Sequence, residues 1–335
     1  MEQAAGRNAY DVVVVGGGSA GLSGALTLGR ARRRVLVVDA GSPRNAPADG
    51  VHNYLTSEGM PPAELLAAGR AEVTGYGVEV RSGEVRRAWS LPEDASGWPA
   101  FAVALADGSS VTARRLLVTT GLTDLLPDVA GLVERWGRDV VHCPYCHGWE
   151  VRDQALGVLG TGPLAVHSAL LFRQWSPDVV LFTHTAPALT AEQAEQLAAR
   201  GIEVVDGEVV GVEVEDDRLV GVRLASGSVV ARQVVAVSPG FAARSSVLEG
   251  LGLAAEDFAM GEHVLGTVVP ADPMGATTVP GVWVAGNVSD PMAQVVGAAG
   301  AGLKAGAAIN ADLVAEDTAA AVAERRGQGA YADAS

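Results

Sequence analysis

A chain of 335 residues with 48% hydrophobic content and a mean hydropathy of +0.23 can bury the cores of two ordinary domains, which excludes a disordered polymer. Its 24 basic residues against 39 acidic ones leave a formal charge of −15, which argues against nucleic acid or an anionic membrane as a partner.

The N-terminus "MEQAAGRNAYD" lacks a basic stretch followed by an apolar one, so no signal peptide is expected, and a cytoplasmic protein is. Val12 to Gly29 is uncharged and long enough for a membrane span, but its glycines and hydroxyl residues argue against one. Val12–Val15 reads instead as a buried parallel strand, followed by Gly16, Gly18 and Gly21 at G-x-G-x-x-G spacing, a helix, and a second strand, Val35–Val38, ending in Asp39. Gly16 permits the turn, Gly18 lets backbone N–H groups approach a pyrophosphate, and Gly21 lets helix and strand pack closely. The helix N-terminus then faces the anion, and Asp39 suits a ribose. The following "RARRR" (Arg30–Arg34) reads as a solvated helix end favoured by the dipole.

"ADGSSVTARRLLVTTG" (Ala106–Gly121) gives a hairpin turn at Asp107-Gly108 and a strand ending in glycine. Next, "VVHCPYCHGWE" holds both cysteines, Cys143 and Cys146, between His142 and His147. That pattern fits c-type haem attachment, half of a zinc site, or a redox disulfide.

The unit then repeats. "ALGVLGTGPLAVHSALL" supplies Gly160, Gly162 and Ala165 before a strand at Val179–Phe182, and "ASGSVVARQVVAVSPG" (Ala225–Gly240) echoes the first hairpin. The first copy is the longer, with its excess between Asp39 and Phe101. Further on come a strand at Val282–Ala285, Gly286-Asn287, and a helix opening at Asp290-Pro291, where Asp caps and Pro takes the first turn. Gln328–Ser335 reads as a frayed tail. Trp136, Trp149 and Phe241 are expected to pack in cores.

This arrangement resembles the low-molecular-weight thioredoxin reductases over nearly the whole chain. The resemblance rests on the first glycine motif, Thr119-Thr120-Gly121, the CxxC before a second G-x-G-x-x-A, and the late "GNVSD…AQV". It implies an α/β fold of two Rossmann-like dinucleotide-binding domains, the second inserted in the first. Residues 1–121 and 241–327 would bind FAD, 122–240 would carry the CxxC in an NAD(P)H-type domain, and a homodimer would form. By position, Gly16, Gly18, Ser19, Ala20 and Gly21 would hold the pyrophosphate, and Asp39 the ribose, with Ala40, Arg44 and Asn45 beside it. His52, Val85, Thr120 and Gly121 would also meet FAD. His52 belongs to "HNYLTSEG" (His52–Gly59), which could equally be a plain surface loop. Gly286 and Asn287, an Asn where the family has Asp, would meet the ribityl chain, and Gln294 and Val295 the isoalloxazine.

With a flavin site implied, the CxxC reads as a redox disulfide. Haem attachment would need export, and zinc would need two more ligands, for which His142 and His147 are badly placed; no metal is expected. By family position Cys146 would contact the flavin and Cys143 would exchange with substrate. His147 stands where the reductases have a proton-handling Asp, and His147, with His142 as the second candidate, would deprotonate a thiol.

The second unit lacks the arginines that clamp the 2′-phosphate of NADPH, offering only His184, and Pro163 removes an N–H from its turn. NADPH is therefore not expected to be used. This combination resembles the dithiol-oxidase branch of the family, which closes disulfides in small natural products such as gliotoxin and holomycin. The resemblance implies a small-molecule dithiol substrate, with O2 taking the electrons and leaving as H2O2. The alternative is an NADPH- or ferredoxin-fed thioredoxin or disulfide reductase.

Overall fold

A computed structural model describes residues 8–92 and 98–332, with side chains up to Gly327. The expected tail, Gln328–Ser335, lies outside those side chains and, from residue 333, outside the described backbone.

The Val12–Val15 run lies within the strand Ala9–Val15, which pairs in parallel with Val35–Asp39 on one side and Ser110–Val118 on the other. Both faces are covered, hence four valines in a row. Val13 and Val15 pack with Phe101, Val103 and Val284 on one face. Val12 and Val14 pack with Ala25, Leu28, Ile309 and Leu313 on the other. In space the order is Glu79–Ser82, Val35–Asp39, Ala9–Val15, Ser110–Val118, Phe101–Leu105 and Val85–Ser90, with Val282–Val284 also pairing Ser110–Val118.

Two helices cross on that second face with their backbones almost touching. A Cβ on Gly302 of the last helix would lie 1.9 Å from the Ala20 carbonyl oxygen, and one on Gly306 would lie 2.8 Å from that of Gly24. The small-residue run of the last helix is therefore a packing device. The helix extends over Val295–Ala332, not from Asp290-Pro291 as expected. Asp290 caps a tight turn instead, its Oδ1 accepting from Met292 N (3.1 Å). The Asn287 amide occupies the carbonyls of Asp290, Pro291 and Ala293, which a helix there would have used. "RARRR" is the solvated helix end expected at Arg30, Arg32 and Arg34, which are exposed, and departs from it at Arg33. The helix ends at Arg30, and Arg33 bonds Asn310 (2.8 Å) and Asp317 (2.7 Å) of the last helix.

The second unit repeats the plan. Glu203–Val205, Val179–Phe182, Leu156–Leu159, Val234–Val237 and Val140–Val141 form a parallel sheet, with a three-stranded meander of Val209–Glu215, Arg218–Leu224 and Val229–Ala231 beside it. It is inserted: the chain leaves the first unit along Leu122–Leu125 and returns along Gly240–Ala243, and these two strands pair antiparallel. Among the described residues no helix is long and apolar enough to cross a membrane. The uncharged Val12–Gly29 run is strand, turn and helix.

Candidate active site

The two units enclose a cavity of about 850 Å³, within the range of cofactor sites. Gly16 adopts φ +104°, a conformation disfavoured for side-chain-bearing residues, and a Cβ there would lie 2.5 Å from the Thr119 carbonyl oxygen. At Gly18 nothing lies within 4 Å of a would-be Cβ, so the backbone stands open to the cavity. The helix Ser19–Arg30 begins there with no side-chain cap, leaving its first N–H groups free for an anion. Gly21 does not line the cavity; its missing Cβ would lie 1.9 Å from Gly16 O, so it serves helix–strand packing. Asp39 accepts from Gly17 N (3.1 Å), which fixes the turn. This open cradle, free helix end and acid fit the pyrophosphate and ribose of FAD.

Ser19, Ala20, Ala40, Asn45, Val85, Thr120, Gly121, Gly286 and Val295 all border the same space, and so does Asn287, whose amide nitrogen is committed to the 290–293 turn. Arg44 is there too, but the structure ties it to Asp124 in a two-bond pair of 2.8 and 2.6 Å. Its guanidinium carbon lies 5.5 Å from the centre of the Phe241 ring. Phe241 is core-like, whereas Trp136 faces the cavity and stacks near His142 (6.5 Å). Trp149 overturns the core expectation: it is 65% exposed, with Arg152 over its ring.

The opposite wall carries the CxxC. Cys143 precedes a single turn, Pro144–His147, in which Pro144 supplies the fixed φ of a first helical position. Both cysteines are free thiols, close enough for one to hydrogen-bond the other. That bond, backbone N–H groups of Cys146 and Tyr145, and the Gln294 side chain lower Cys143 to about 6. Cys146 is pushed up, by the same bond and by burial, so one proton is shared and sits on Cys146.

Burial lowers both flanking histidines and keeps them neutral. His142 Nδ1 faces the Val237 carbonyl (3.3 Å), so it donates there and leaves Nε2 as the acceptor. His147 Nδ1 is buried with no partner among the described residues. His52 joins this wall from the first unit. Its Nδ1 bonds Glu58 (2.7 Å) and its Nε2 lies 3.6 Å from Glu150. Its neighbour Asn53 donates to the Tyr145 carbonyl between the cysteines.

Residues 40–61 explain this meeting. They follow the second strand of the first unit, where the second unit has only 183–190 before its helix Ala191–Ala199. Much of the extra length of the first copy is a strap carrying Arg44, His52 and Glu58 to the CxxC. Asp124, Glu58 and Glu150 were missed by sequence reasoning; their isolated carboxylates give no local signal.

The second glycine turn is arranged differently. Thr185 N and Ala186 N donate to the Gly160 carbonyl (3.0 and 2.9 Å), and the Ala186 side chain packs over that glycine. His184 turns inward at φ +44°, its Nδ1 accepting from Val209 N (3.0 Å). Among the described residues no three His, Cys, Asp or Glu side chains converge as a metal-ligand set.

Residues 10–302 match the family model described as pyridine nucleotide-disulphide oxidoreductase. Thioredoxin reductase tcpT of Claviceps purpurea is 30% identical over 92% of this chain and 96% of its own. Thioredoxin reductase sirT of Leptosphaeria maculans is 29% identical over 93% and 96%. A probable thioredoxin reductase of Arthroderma benhamiae is 34% identical, but the match spans less than half of it, 44%, and 52% of this chain. Among solved structures, HlmI superposes with a TM-score of 0.86 at 50% identity, covering 94% of this chain and 96% of that one. An oxidoreductase from Agrobacterium tumefaciens follows with 0.83 at 36%, covering 91% and 98%.

Proposed function

The chain belongs to the pyridine nucleotide-disulphide oxidoreductase family, flavin-binding disulfide oxidoreductases, and from that premise we propose that it is an FAD-dependent oxidase of small-molecule dithiols. One observation carries the reading. The CxxC lines the same cavity as the glycine cradle, while the loop beside the second glycine turn offers His184, held by Val209 N, where an NADPH 2′-phosphate would call for arginines. The proposal assigns FAD to residues 1–121 and 241–327 and the CxxC to the insert 122–240, in a cytoplasmic homodimer that does not use NADPH.

The working state carries a Cys143–Cys146 disulfide. His147, neutral through burial, takes the proton of a substrate thiol, and the thiolate attacks Cys143. The substrate's second thiol then displaces Cys143, closing the substrate disulfide and leaving two protein thiols. Bound FAD, held by Gly16, Gly18, the helix end and Asp39, supplies the two-electron acceptor that restores the cysteine disulfide and the two-electron donor that turns O2 into H2O2. Gln294 helps to lower Cys143, and the Arg44 charge offsets part of the rise that Cys143 and burial impose on Cys146.

The names of tcpT and sirT support a second reading, a reductase fed by NADPH or ferredoxin. Anaerobic stopped-flow separates the two. The oxidase reading expects a vicinal dithiol to bleach the flavin and H2O2 to follow on admitting air, with NADPH inert; rapid bleaching by NADPH would overturn it.

A further inference from the structure

An inserted unit joined by two strands swings about them unless something else holds it. Here the strap, residues 40–61, holds it at several points. At the strands themselves Arg44 pairs with Asp124 (2.8 and 2.6 Å). The Ser42 carbonyl accepts from Arg244 Nη1 (3.1 Å), and Arg244 Nε donates to Thr123 Oγ1 (3.1 Å). Beyond them the strap lies against Gly137, where a Cβ would stand 2.7 Å from Pro47 Cβ and 2.9 Å from the Pro47 carbonyl oxygen. Farthest along, the Asn53 amide donates to the Tyr145 carbonyl (2.5 Å), between the two cysteines.

The tip of the strap is held in shape by its own bonds. Val51 N donates to Met60 O and Gly59 N to Val51 O (2.8 Å each), closing the loop at its base. Glu58 spans the inside, with Oε1 2.7 Å from His52 Nδ1 and Oε2 accepting from Asn53 N (2.8 Å). Asn53 sits at φ +58° and Thr56 at φ +74°. Asparagine tolerates that conformation, whereas a β-branched threonine there is an outlier that persists only where its surroundings over-determine it. Asn53 does not border the cavity, so its amide serves the redox turn. Within that turn Cys146 N and His147 N both donate to the Cys143 carbonyl (3.1 Å each), and Gly148 N donates to that of Pro144 (2.7 Å). The next carbonyl, that of Tyr145, is taken by the strap.

We propose that the strap is a clasp that keeps the inserted unit seated on the cavity, with Asn53 as the positioning residue that ties the CxxC turn to the first unit. The inference rests on the dithiol-oxidase reading: a small dithiol enters the cavity and meets Cys143 there, so turnover never requires the units to part. Asn53 touches neither substrate nor cofactor and acts through the Tyr145 carbonyl.

The test uses FAD-loaded protein, dithiothreitol as the dithiol, anaerobic stopped-flow and amide hydrogen–deuterium exchange. Asn53→Gly keeps the positive φ and removes the amide; Asn53→Asp keeps the shape and sets a carboxylate against the Tyr145 carbonyl. Both should lower the limiting bleaching rate about fivefold, the worth of one neutral hydrogen bond, with the half-saturating dithiothreitol concentration unchanged. Exchange across residues 143–148 should quicken in both, while FAD content stays at the wild-type level. Pro47→Gly, which empties the contact with Gly137, should act in the same direction. Wild-type exchange at 143–148 in Asn53→Gly would overturn the clasp, as would a wild-type limiting rate in both Asn53 variants. Wild-type protein that dithiothreitol cannot bleach would overturn the oxidase reading, and the exchange comparison would still decide the clasp.

Discussion

Gln294, at the threshold of the last helix, and Cys143, in the inserted CxxC unit, border the same cavity, and Gln294 is among the groups that lower the Cys143 thiol. With the Cys146 thiol and two backbone N–H groups it holds Cys143 as a thiolate from about pH 6 upward. Alkylation of the reduced protein by iodoacetamide, followed by mass spectrometry, should therefore show a Cys143 midpoint near pH 6. Below it the sulfur is protonated and unreactive. Gln294→Leu should move the midpoint upward; a midpoint in the ordinary thiol range for the wild type would contradict this arrangement.

Cys143→Ser should abolish dithiol-dependent H2O2 release while leaving the yellow cofactor bound, because Cys143 takes no part in the glycine cradle. The check is peroxide output alongside the visible flavin spectrum. Retained turnover would mean that the electrons bypass Cys143.

Stability should fall as the solution is acidified from pH 7 toward pH 5. Burial lowers His142, His147 and His184 from an ordinary value of 6.5. Above that value these rings are neutral whether folded or not. Below it the unfolded chain binds protons that the folded chain resists, so unfolding gains. Melting temperature against pH should drop across this window, and His142→Gln should flatten part of the slope. A flat wild-type profile would count against the buried neutral rings.

Arg44→Met would leave Asp124, only 9% exposed at its side chain, without its cation. Breaking such a pair costs about 3 kcal/mol, and pairing the change with Asp124→Leu should recover much of it. The single variant should also slow dithiol-driven bleaching, since the Arg44 charge opposes the rise that Cys143 and burial impose on Cys146. Denaturant melts of both variants provide the measurement, and equal stabilities would refute the pairing.

Gly21→Ala would drive a methyl group toward the Gly16 carbonyl, both atoms belonging to rigid elements. Overpacking of this kind costs about 3 kcal/mol. The variant should melt lower and purify with less FAD; an unchanged melt would show that strand and helix are less tightly joined than the geometry says.

Local rules make much of this protein legible in the order of its residues. Two glycine turns after apolar runs are short-range patterns, because a turn that must approach a phosphate or a neighbouring helix tolerates no Cβ. The CxxC is equally local. Asp39 stands out because it ends a strand at a fixed distance from the first glycine. The start of the last helix is misplaced by the same rules, because Asp290-Pro291 caps a tight turn as well as it caps a helix. Only the Asn287 amide, arriving from outside that turn, decides between them.

The sequence by itself determined the two nucleotide-binding units and the sulfur pair, since each follows from backbone sterics within a short stretch. Tertiary structure alone decided that Arg44 meets Asp124, that Gln294 and Cys143 border one cavity, that His52 faces Glu150, and that His184 turns to Val209. Those meetings depend on how a strap and an inserted unit are set against each other. A side chain's partners across such a gap follow from the packing of whole elements, and no spacing along the chain encodes them.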